Sequence, residues 1–246
     1  MKDLKYLAAY SIPLATALSL NSRGWLTFST VIFAFIAIPI IEMIVGKDST
    51  NLSEKELEQK KANKVFDLML YLNLPIVFGL LYWSFINISS VDYSLIELVG
   101  LSYSIGILLA TNAINVAHEL GHRKGLFERT LSKLLYMPCL YMHFYIEHNF
   151  GHHLHVATSE DGATAKYNQS LYSFWITSVT KQYFDAWKNQ KKLLKIKNSS
   201  FLSIKNDMVW YHLIQPLYLF FVYYFFSFEV MIFALFVGII SFLFLE

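Results

Sequence analysis

Seven of the chain's eight histidines lie between positions 118 and 155, and six of them form two groups. The first is His118-Glu119-Leu120-Gly121-His122, and the second is Glu147-His148-Asn149-Phe150-Gly151-His152-His153-Leu154-His155. Imidazole is polar and only partly charged near neutral pH, so core packing explains such crowding poorly. Imidazole is also the commonest protein ligand for iron, zinc and copper. The two groups therefore indicate a metal site.

The spacing of the histidines fits ligands on helix faces. In the first group the two histidines are four residues apart, which puts them one turn apart on one face of an α-helix. His148 and His152 repeat this spacing, and His155 extends the same stripe. His153 is turned about 100° around the helix from His152. A structural zinc takes about four ligands and a catalytic zinc about three. Five well-spaced histidines therefore favour two metal ions.

The composition predicts an all-α membrane helix bundle that holds these histidines. The chain has 246 residues, of which 55% are hydrophobic, and its mean hydropathy is positive. Because an apolar run of about 20 residues crosses a bilayer as a helix, we expect one polytopic domain over residues 1–246. The lone Cys139 excludes an internal disulfide and a cysteine-based zinc cluster, and the net charge of +2 suggests no nucleic-acid partner. The predicted spans are about 6–20, 25–45, 66–88, 94–117, 208–226 and 229–246, with a histidine region at 118–207.

The distribution of Lys and Arg predicts the orientation in a bacterial-type inner membrane. These residues occupy the N-terminus, 46–64 and 123–205, whereas the opposite loops hold only Arg23. By the positive-inside rule, the N-terminus and all the histidines are cytoplasmic.

Two segments next to the histidine groups are expected to help form the site. Thr111, Asn112 and Asn115 form a polar stripe on the last turns before His118. Polar groups inside a membrane helix are costly, so we expect the stripe to face the metal site, although interhelical hydrogen bonding would also explain it. Residues 134–146 are apolar but too short to span, and they are expected to return the second group to the first.

Two further helices are predicted outside the spans. Residues 170–197 combine lysines with apolar residues at helical spacing, which suits a helix in the membrane surface or one packed on the histidine region. Its apolar residues are Tyr172, Trp175, Ile176, Val179, Tyr183 and Trp187. Ser53 and Glu56 have the spacing of a capping box, so a short solvated helix is expected to start there.

The first group alone leaves a different class of enzyme open. His-Glu-x-x-His is the motif of zinc metalloproteases, with Glu119 as the general base, and in a membrane protein it fits an intramembrane protease. The second group is not needed by a one-zinc hydrolase, so a two-iron site that activates O₂ is favoured. Metal transport is a third class, but its residues are expected within the spans and not at their cytoplasmic ends.

Beyond the spacing, the motifs resemble those of the membrane alkane monooxygenases. These are non-haem di-iron enzymes related to membrane fatty-acid desaturases and hydroxylases. The resemblance runs through nearly the whole chain and implies hydroxylation of the terminal carbon of an alkane, with O₂ and electrons from rubredoxin. A related enzyme for fatty-acyl or alkyl-aromatic substrates is the alternative. The matching residues are 118–124, 147–153, Val156-Ala157-Thr158, Gly46-Lys47-Asp48, His143-Phe144 and Asp185-Ala186-Trp187.

The resemblance also implies a role for each candidate site residue. Glu119 and Glu147 would orient imidazoles and select their tautomers, with a similar supporting role for Asp161. The substrate is expected in a dry apolar channel between spans. The implied iron ligands are His118, His122, His148, His152 and His153; His155 has no such role in the family, His143 is expected to be a supporting or buried polar residue, and His212 neither.

The family carries further histidines after its last span, in an Asn-Tyr-x-Glu-His-Tyr-Gly stretch and a later histidine-rich group. Neither occurs in these 246 residues. The resemblance therefore implies that the sequence is a fragment that does not turn over by itself.

Overall fold

The computed structural model describes residues 2–46, 53–61 and 63–246, and within these ranges all regular elements are helical, as predicted. The 3₁₀ segments are Lys2–Tyr10 and Gly24–Phe28, and the π-helical segments are Phe33–Ala37, Leu109–Ile114 and His148–His152. The α-helices are α1 Ser11–Leu20, α2 Ser29–Ile32, α3 Ile38–Val45, α4 Glu54–Lys61, α5 Lys64–Ser90, α6 Leu95–Leu108, α7 Asn115–Gly121, α8 Leu126–Tyr136, α9 Phe144–Glu147, α10 His153–His155, α11 Leu171–Ile196, α12 Asp207–Phe225 and α13 Phe228–Leu245.

Four helical stretches of the described residues are long and apolar enough to cross a bilayer. They are Gly24–Val45, Lys64–Ser90, Leu95–Gly121 and Phe228–Leu245, which match the second, third, fourth and sixth predicted spans. The protein is therefore an integral membrane protein.

The first and fifth predicted spans are helical but are not among these four stretches. α1 is only 10 residues long, and α12 begins with Asp207 and includes His212 and Gln215. Passage of these two helices through the bilayer stays a prediction.

Helix caps define where the long helices begin. The Asn63 side chain accepts a hydrogen bond from the Val65 amide at 3.0 Å, which starts α5. Ser94 and Glu97 form a capping box that starts α6, and Glu97 also accepts from the Gly24 amide at 2.8 Å. This contact ties the α1–span-two turn to the α5–α6 loop, at the end of the bundle remote from the histidines.

Small and polar residues let the apolar helices approach one another closely. Ser104 on α6 donates to the Thr27 carbonyl at 2.8 Å, and Ser19 on α1 lies 3.1 Å from the Thr30 hydroxyl. At Gly106 an added Cβ would lie 2.3 Å from the Ile240 side chain of α13, so α6 and α13 meet only because this residue lacks a side chain. Such contacts are typical of helix packing in membranes.

Two of the three residues in the polar stripe before His118 do not face the metal site. The Asn112 amide donates to Asn73 of α5 at 2.9 Å and to the Ala9 carbonyl at 3.2 Å, and Thr111 donates to the Ile107 carbonyl at 2.8 Å. Asn115 is exposed. The prediction that the stripe faces the histidines is therefore wrong for Thr111 and Asn112, which lie in the π segment Leu109–Ile114, and for Asn115 it stays a prediction.

α11 confirms the helix predicted over 170–197, but its buried face differs from the expected one. Tyr172 and Ile176 are exposed, whereas a mixed apolar and polar stripe packs against α9 and the π segment His148–His152. That stripe is Phe174, Ser178, Gln182, Ala186, Asn189, Gln190 and Leu194. The helix therefore supports the histidine segment from behind.

The short helix predicted after span two is present as α4. Lys47 and Asp48 of the family motif, and the Glu56 side chain of the expected capping box, lie outside what the structure describes.

Candidate metal centre

The two histidine groups are carried by α7 and by the π segment His148–His152. α6 continues through the second π segment into α7, which presents the first group at its end. α8 packs against α7, where Ser132 donates to the Ala117 carbonyl at 2.6 Å. The turn after α8 is fixed to α12 by the hydrogen bond from the Met142 amide to Gln215 at 2.9 Å. The chain then enters α9 and brings the second group back to the first, as predicted for residues 134–146.

Four of the five predicted ligands converge. His118, His122, His148 and His153 each offer a ring nitrogen, and these four atoms lie within 4.8 Å of one another. The Nε2 atoms of His118 and His122 are 3.2 Å apart, and those of His148 and His153 are 3.0 Å apart. His153 joins the two groups, since its Nε2 lies 3.4 Å from that of His122.

These distances fit shared coordination of a metal ion. Two imidazole nitrogens bound to one ion at about 2.1 Å, with an angle of 90–110° between them, lie about 3.0–3.4 Å apart. A set of imidazole nitrogens suits iron, zinc, copper and nickel. The donor set therefore fits a transition metal without selecting iron among them.

At two of the four rings, burial also favours the protonation state that metal binding needs. Burial lowers the pKa of His148 to about 3, and the neighbouring histidines act in the same direction. Burial likewise lowers the pKa of His153. Neutral imidazole keeps a lone pair for a metal ion.

A π-helix decides which members of the second group meet. Because hydrogen bonds in a π-helix join residues five apart, His148 and His153 stand on one face, and their ring centroids are 4.5 Å apart. The expectation that His148, His152 and His155 share an α-helical stripe is wrong for this reason. His152 lies beside the cluster, with its ring stacked 5.2 Å from that of His148.

His152 is held by Asp161. Its Nδ1 lies 3.0 Å from both carboxylate oxygens, so the N–H of that nitrogen donates to the carboxylate and Nε2 is left as the free lone pair. Burial acts to raise the pKa of Asp161, but hydrogen bonds from Thr164, His152 and the Ala163 amide outweigh it and lower the pKa. A carboxylate on the far nitrogen of a histidine orients and polarises a metal ligand.

Glu119 does not orient an imidazole in this structure. Its carboxylate pairs with Arg123 at 3.3 Å, and Arg123 also binds Asp67 of α5 at 2.8 Å. Positions 119 and 123 lie about 100° around the helix from the two histidines, so the glutamate faces α5 instead of the cluster. The role expected for Glu119 is therefore not supported.

Glu147 is buried behind the histidines, against α11. It is 2% exposed, and its Oε2 has no hydrogen-bond partner among the described residues. Burial raises the pKa of Glu147 to about 8, and the nearby carboxylates of Asp161 and Asp185 act in the same direction. At neutral pH this carboxyl is mainly protonated and can donate a hydrogen bond. The structure shows no contact between it and an imidazole.

The three remaining histidines lie outside the cluster. His155 pairs with Glu160 at 3.2 Å. His143 is buried, with its ring centroid 4.6 Å from that of Tyr141. His212 contacts the Tyr183 hydroxyl at 2.7 Å and the Met208 carbonyl at 2.7 Å.

Sequence reasoning missed two residues that support the second group. Thr164 donates to Asp161 at 2.6 Å, and its position three residues later was a readable signal of a local side-chain contact. Asn189 of α11 approaches Gly151 so closely that an added Cβ would lie 2.7 Å from its amide nitrogen. No local signal predicts that contact, because it depends on how α11 packs.

Two cavities open between the apolar helices. One of about 530 Å³ lies between the N-terminal segment, α5 and α7, and ends at Glu119 and Arg123. The other, of about 310 Å³, lies between α5 and α12 with apolar and aromatic walls. Neither is lined by a histidine of the cluster, so the expected substrate channel stays a prediction.

Comparisons with known proteins agree with this geometry. A model of the fatty acid desaturase family matches residues 94–246, more than half of the chain. Alkane 1-monooxygenase 2 of Pseudomonas aeruginosa is 32% identical over 87% of this chain and 58% of its own length. Alkane 1-monooxygenase 2 of Alcanivorax borkumensis is 31% identical over 89% and 59%. The xylene/toluene monooxygenase hydroxylase component XylM of Pseudomonas putida is 28% identical over 86% and 56%.

The chain spans a little under three fifths of the length of these curated relatives. This chain contains both histidine groups and the four apolar stretches found among the described residues. With the family model covering both groups, the chain belongs to the fatty acid desaturase family of membrane proteins.

Proposed function

We propose that the protein is a membrane non-haem di-iron monooxygenase that hydroxylates the terminal carbon of alkanes. The observation that carries this proposal is the convergence of four imidazoles at the end of an apolar helix bundle. Support comes from the alkane 1-monooxygenases, which are about 30% identical over most of the chain. In this proposal O₂ is the oxidant, rubredoxin delivers the electrons, and the alkane reaches the site from the surrounding membrane lipids.

The chain's own residues hold and shield the centre. Bound iron would supply the redox chemistry that activates O₂. The cluster histidines would bind it through Nε2, and Asp161 keeps the His152 Nε2 lone pair available. The buried Glu147 carboxyl completes the polar wall behind the second group.

We place the centre on the cytoplasmic side of the inner membrane. Lys181, Lys188 and Lys192 of α11 line one cavity with Gly151 and His155, and the positive-inside rule puts such residues in the cytoplasm. His122 and His153 are exposed, which gives a soluble electron donor access to the edge of the cluster.

A related hydroxylase that acts on alkyl-aromatic compounds is the second candidate. It is favoured by the similarity to the xylene/toluene monooxygenase component over 86% of this chain. The zinc protease is disfavoured, because the glutamate of the His-Glu-x-x-His motif is paired with Arg123 and turned away from the cluster.

Metal analysis and product analysis of the full-length protein test the proposal. Membranes that contain it are supplied with rubredoxin, its reductase and O₂, and offered octane or toluene. We expect two irons per chain and 1-octanol as the main product; benzyl alcohol instead would favour the second candidate. One zinc per chain without alcohol would overturn both.

The His153→Ala variant provides the matched test of the cluster, with His155→Ala as its control. His153 connects the two groups, so its loss is expected to lower the affinity for iron at least about tenfold. Iron content should fall with it, and alcohol formation should be abolished. His155 pairs with Glu160 outside the cluster, so its loss should leave both unchanged. Normal iron content in His153→Ala would contradict the assignment.

A further inference from the structure

A stack of aromatic rings leads away from the histidine cluster to one buried tyrosine. The His148 ring stacks on Phe144, with centroids 5.0 Å apart and planes at 29°. Phe144 in turn stacks on Tyr141, at 5.4 Å and 22°. Tyr141 is 1% exposed, so the stack joins a proposed metal ligand to a phenol that solvent does not reach.

The Tyr141 hydroxyl has a proton acceptor beside it. It donates to Glu246 Oε1 at 2.8 Å. The same carboxylate accepts from Gln182 at 2.9 Å and 2.7 Å on its two oxygens, and from the Ser178 hydroxyl. In all of these hydrogen bonds the Glu246 carboxylate accepts, so the group acts as an acceptor here. Gln182 and Ser178 hold it against the phenol.

Another buried tyrosine of the described structure lacks this combination. Tyr211 is also buried, at 2% exposed, but its hydroxyl has no hydrogen-bond partner. One-electron oxidation makes a phenol a strong acid, so it proceeds readily only where a base takes the proton. Tyr141 has that base and an aromatic route to the cluster, whereas Tyr211 lacks the base.

We propose that Tyr141 is a redox-active residue that donates an electron to the oxidised centre when no alkane is present to be hydroxylated. The inference rests on the proposed oxygenase function, with O₂ as the oxidant that generates the oxidised centre. Tyr141 loses one electron, which passes through Phe144 and the His148 ring and reduces the centre by one electron. The phenolic proton moves to Glu246, leaving a neutral phenoxyl radical and a neutral carboxylic acid.

The electron donor of the enzyme reverses the step. One electron returns to the phenoxyl radical, and the proton returns from Glu246, so the tyrosine is restored. The stack thereby protects the histidine ligands from oxidation during reaction with O₂ that is not coupled to hydroxylation. Tyr141 acts on the centre through other residues and does not touch the substrate.

Electron paramagnetic resonance of the full-length, iron-loaded protein tests this step. The reduced protein is mixed with O₂ without alkane and frozen at intervals, and ring-deuterated tyrosine assigns any radical to a tyrosine by narrowing its signal. We expect a tyrosyl radical in the wild type and in Tyr211→Phe, and its loss in Tyr141→Phe. Glu246→Gln, which keeps the shape but is a far weaker base, should lower the yield several-fold.

Peptide mass spectrometry after prolonged exposure to O₂ gives a second readout that does not depend on activity. In Tyr141→Phe we expect several-fold more oxidation at His148 and Phe144 than in the wild type, at equal iron content. Phe144→Leu, which breaks the stack but keeps an apolar side chain, should show the same rise in oxidation at His148.

A radical that persists in Tyr141→Phe, or O₂ consumption with no tyrosyl radical in the wild type, would overturn the inference while the proposed function stands. Failure to bind iron or to consume O₂ would instead remove the proposed function, and this inference with it.

Discussion

Two histidines, His152 and His143, show how the contacts of an ionisable side chain decide what that side chain can do. Asp161 accepts the N–H of the His152 Nδ1, so the opposite nitrogen keeps its lone pair. His143 lies only five residues before His148, yet its Nε2 has no described partner and it packs between Tyr141 and Tyr183. The same residue type is thus a candidate ligand at one position and a neutral core residue at another.

Replacement of Asp161 by Asn should weaken metal binding without unfolding the protein. The amide keeps the size of the carboxylate but cannot act as a charged acceptor for the Nδ1 proton, so the ring is held less firmly in the required tautomer. We expect metal affinity to fall about 10–100-fold, as measured by competition with a chelator. Asp185→Asn, which breaks a surface pair with Lys188, is the control and should have little effect; equal losses in both variants would contradict this role.

His143 should make the metal-free protein less stable in acid. Burial lowers the pKa of His143 to about 3, from an ordinary value of 6.5, and His212 nearby acts in the same direction. Between these pH values the unfolded chain binds a proton that the folded one does not, so stability falls as pH drops below 6.5 and stops falling near 3. The slope for this one group approaches about 1.4 kcal/mol per pH unit.

The measurement is the melting temperature of the metal-free protein in detergent, from pH 4.5 to 7.5. His143→Phe keeps an aromatic ring in place and should flatten the dependence by about one proton, although His148 still contributes. An unchanged slope would show that His143 does not stay neutral in the fold.

At the scale of elements, helix geometry selects the ligands. An α-helix through the second group would place His148 beside His152, whereas the π segment places it beside His153. A π turn is less stable than an α turn and commonly marks a functional site. Here it is held by α11, whose Asn189 approaches Gly151.

Two glycines within apolar helices provide a matched test of how the helices hold the site. Gly106 of α6 lies against Ile240 of α13, and an added Cβ would come within 2.3 Å of that side chain, whereas nothing lies within 4 Å of a Cβ added at Gly79 of α5. Gly106→Ala should therefore separate α6 from α13 and cost about 1–3 kcal/mol. Gly79→Ala should not destabilise the protein.

Thermal unfolding in detergent, with metal affinity measured in parallel, checks this prediction. Because α6 runs on toward His118, Gly106→Ala should also weaken the metal site. If both variants melt like the wild type, the two helices do not pack as closely as the structure shows.

At the scale of the whole molecule, the bundle puts its two ends in different surroundings. The turn after α1 and the loop before α6 are joined at one end by Arg23, which donates to the Asp92 carbonyl at 2.7 Å. The histidine cluster, α8 and α11 lie at the other end. A bilayer around the apolar stretches would separate the two ends.

Labelling of single cysteines should reveal that separation. Asn21 and Lys166 are exposed at opposite ends, while the native Cys139 is 0% exposed and should not react. With an impermeant maleimide on intact cells, we expect Asn21→Cys to be labelled and Lys166→Cys to be labelled only after the inner membrane is opened. The reverse pattern would invert the proposed orientation.

The sequence by itself determined the class of the fold and the residue types that form the site. Long apolar runs can only be helices in a bilayer, since every backbone polar group must be paired within the segment. The clustering and spacing of histidines were enough to indicate a metal site, and the motifs were enough to indicate the family, which the family model confirms. These features are local, and each is readable from a few neighbouring residues.

Only the tertiary structure decided which side chains converge in the histidine cluster. His153 joins the cluster and His152 turns to Asp161 because five residues, not four, separate the hydrogen-bonded groups of a π-helix. Asn112 faces Asn73 of the neighbouring helix α5, and Glu119 faces Arg123, which α5 holds through Asp67. The direction of a polar side chain on a helix depends on which element packs against that face. That packing is set by contacts distant in sequence, such as Gly106 on Ile240 and Asn189 on Gly151, which no local pattern records.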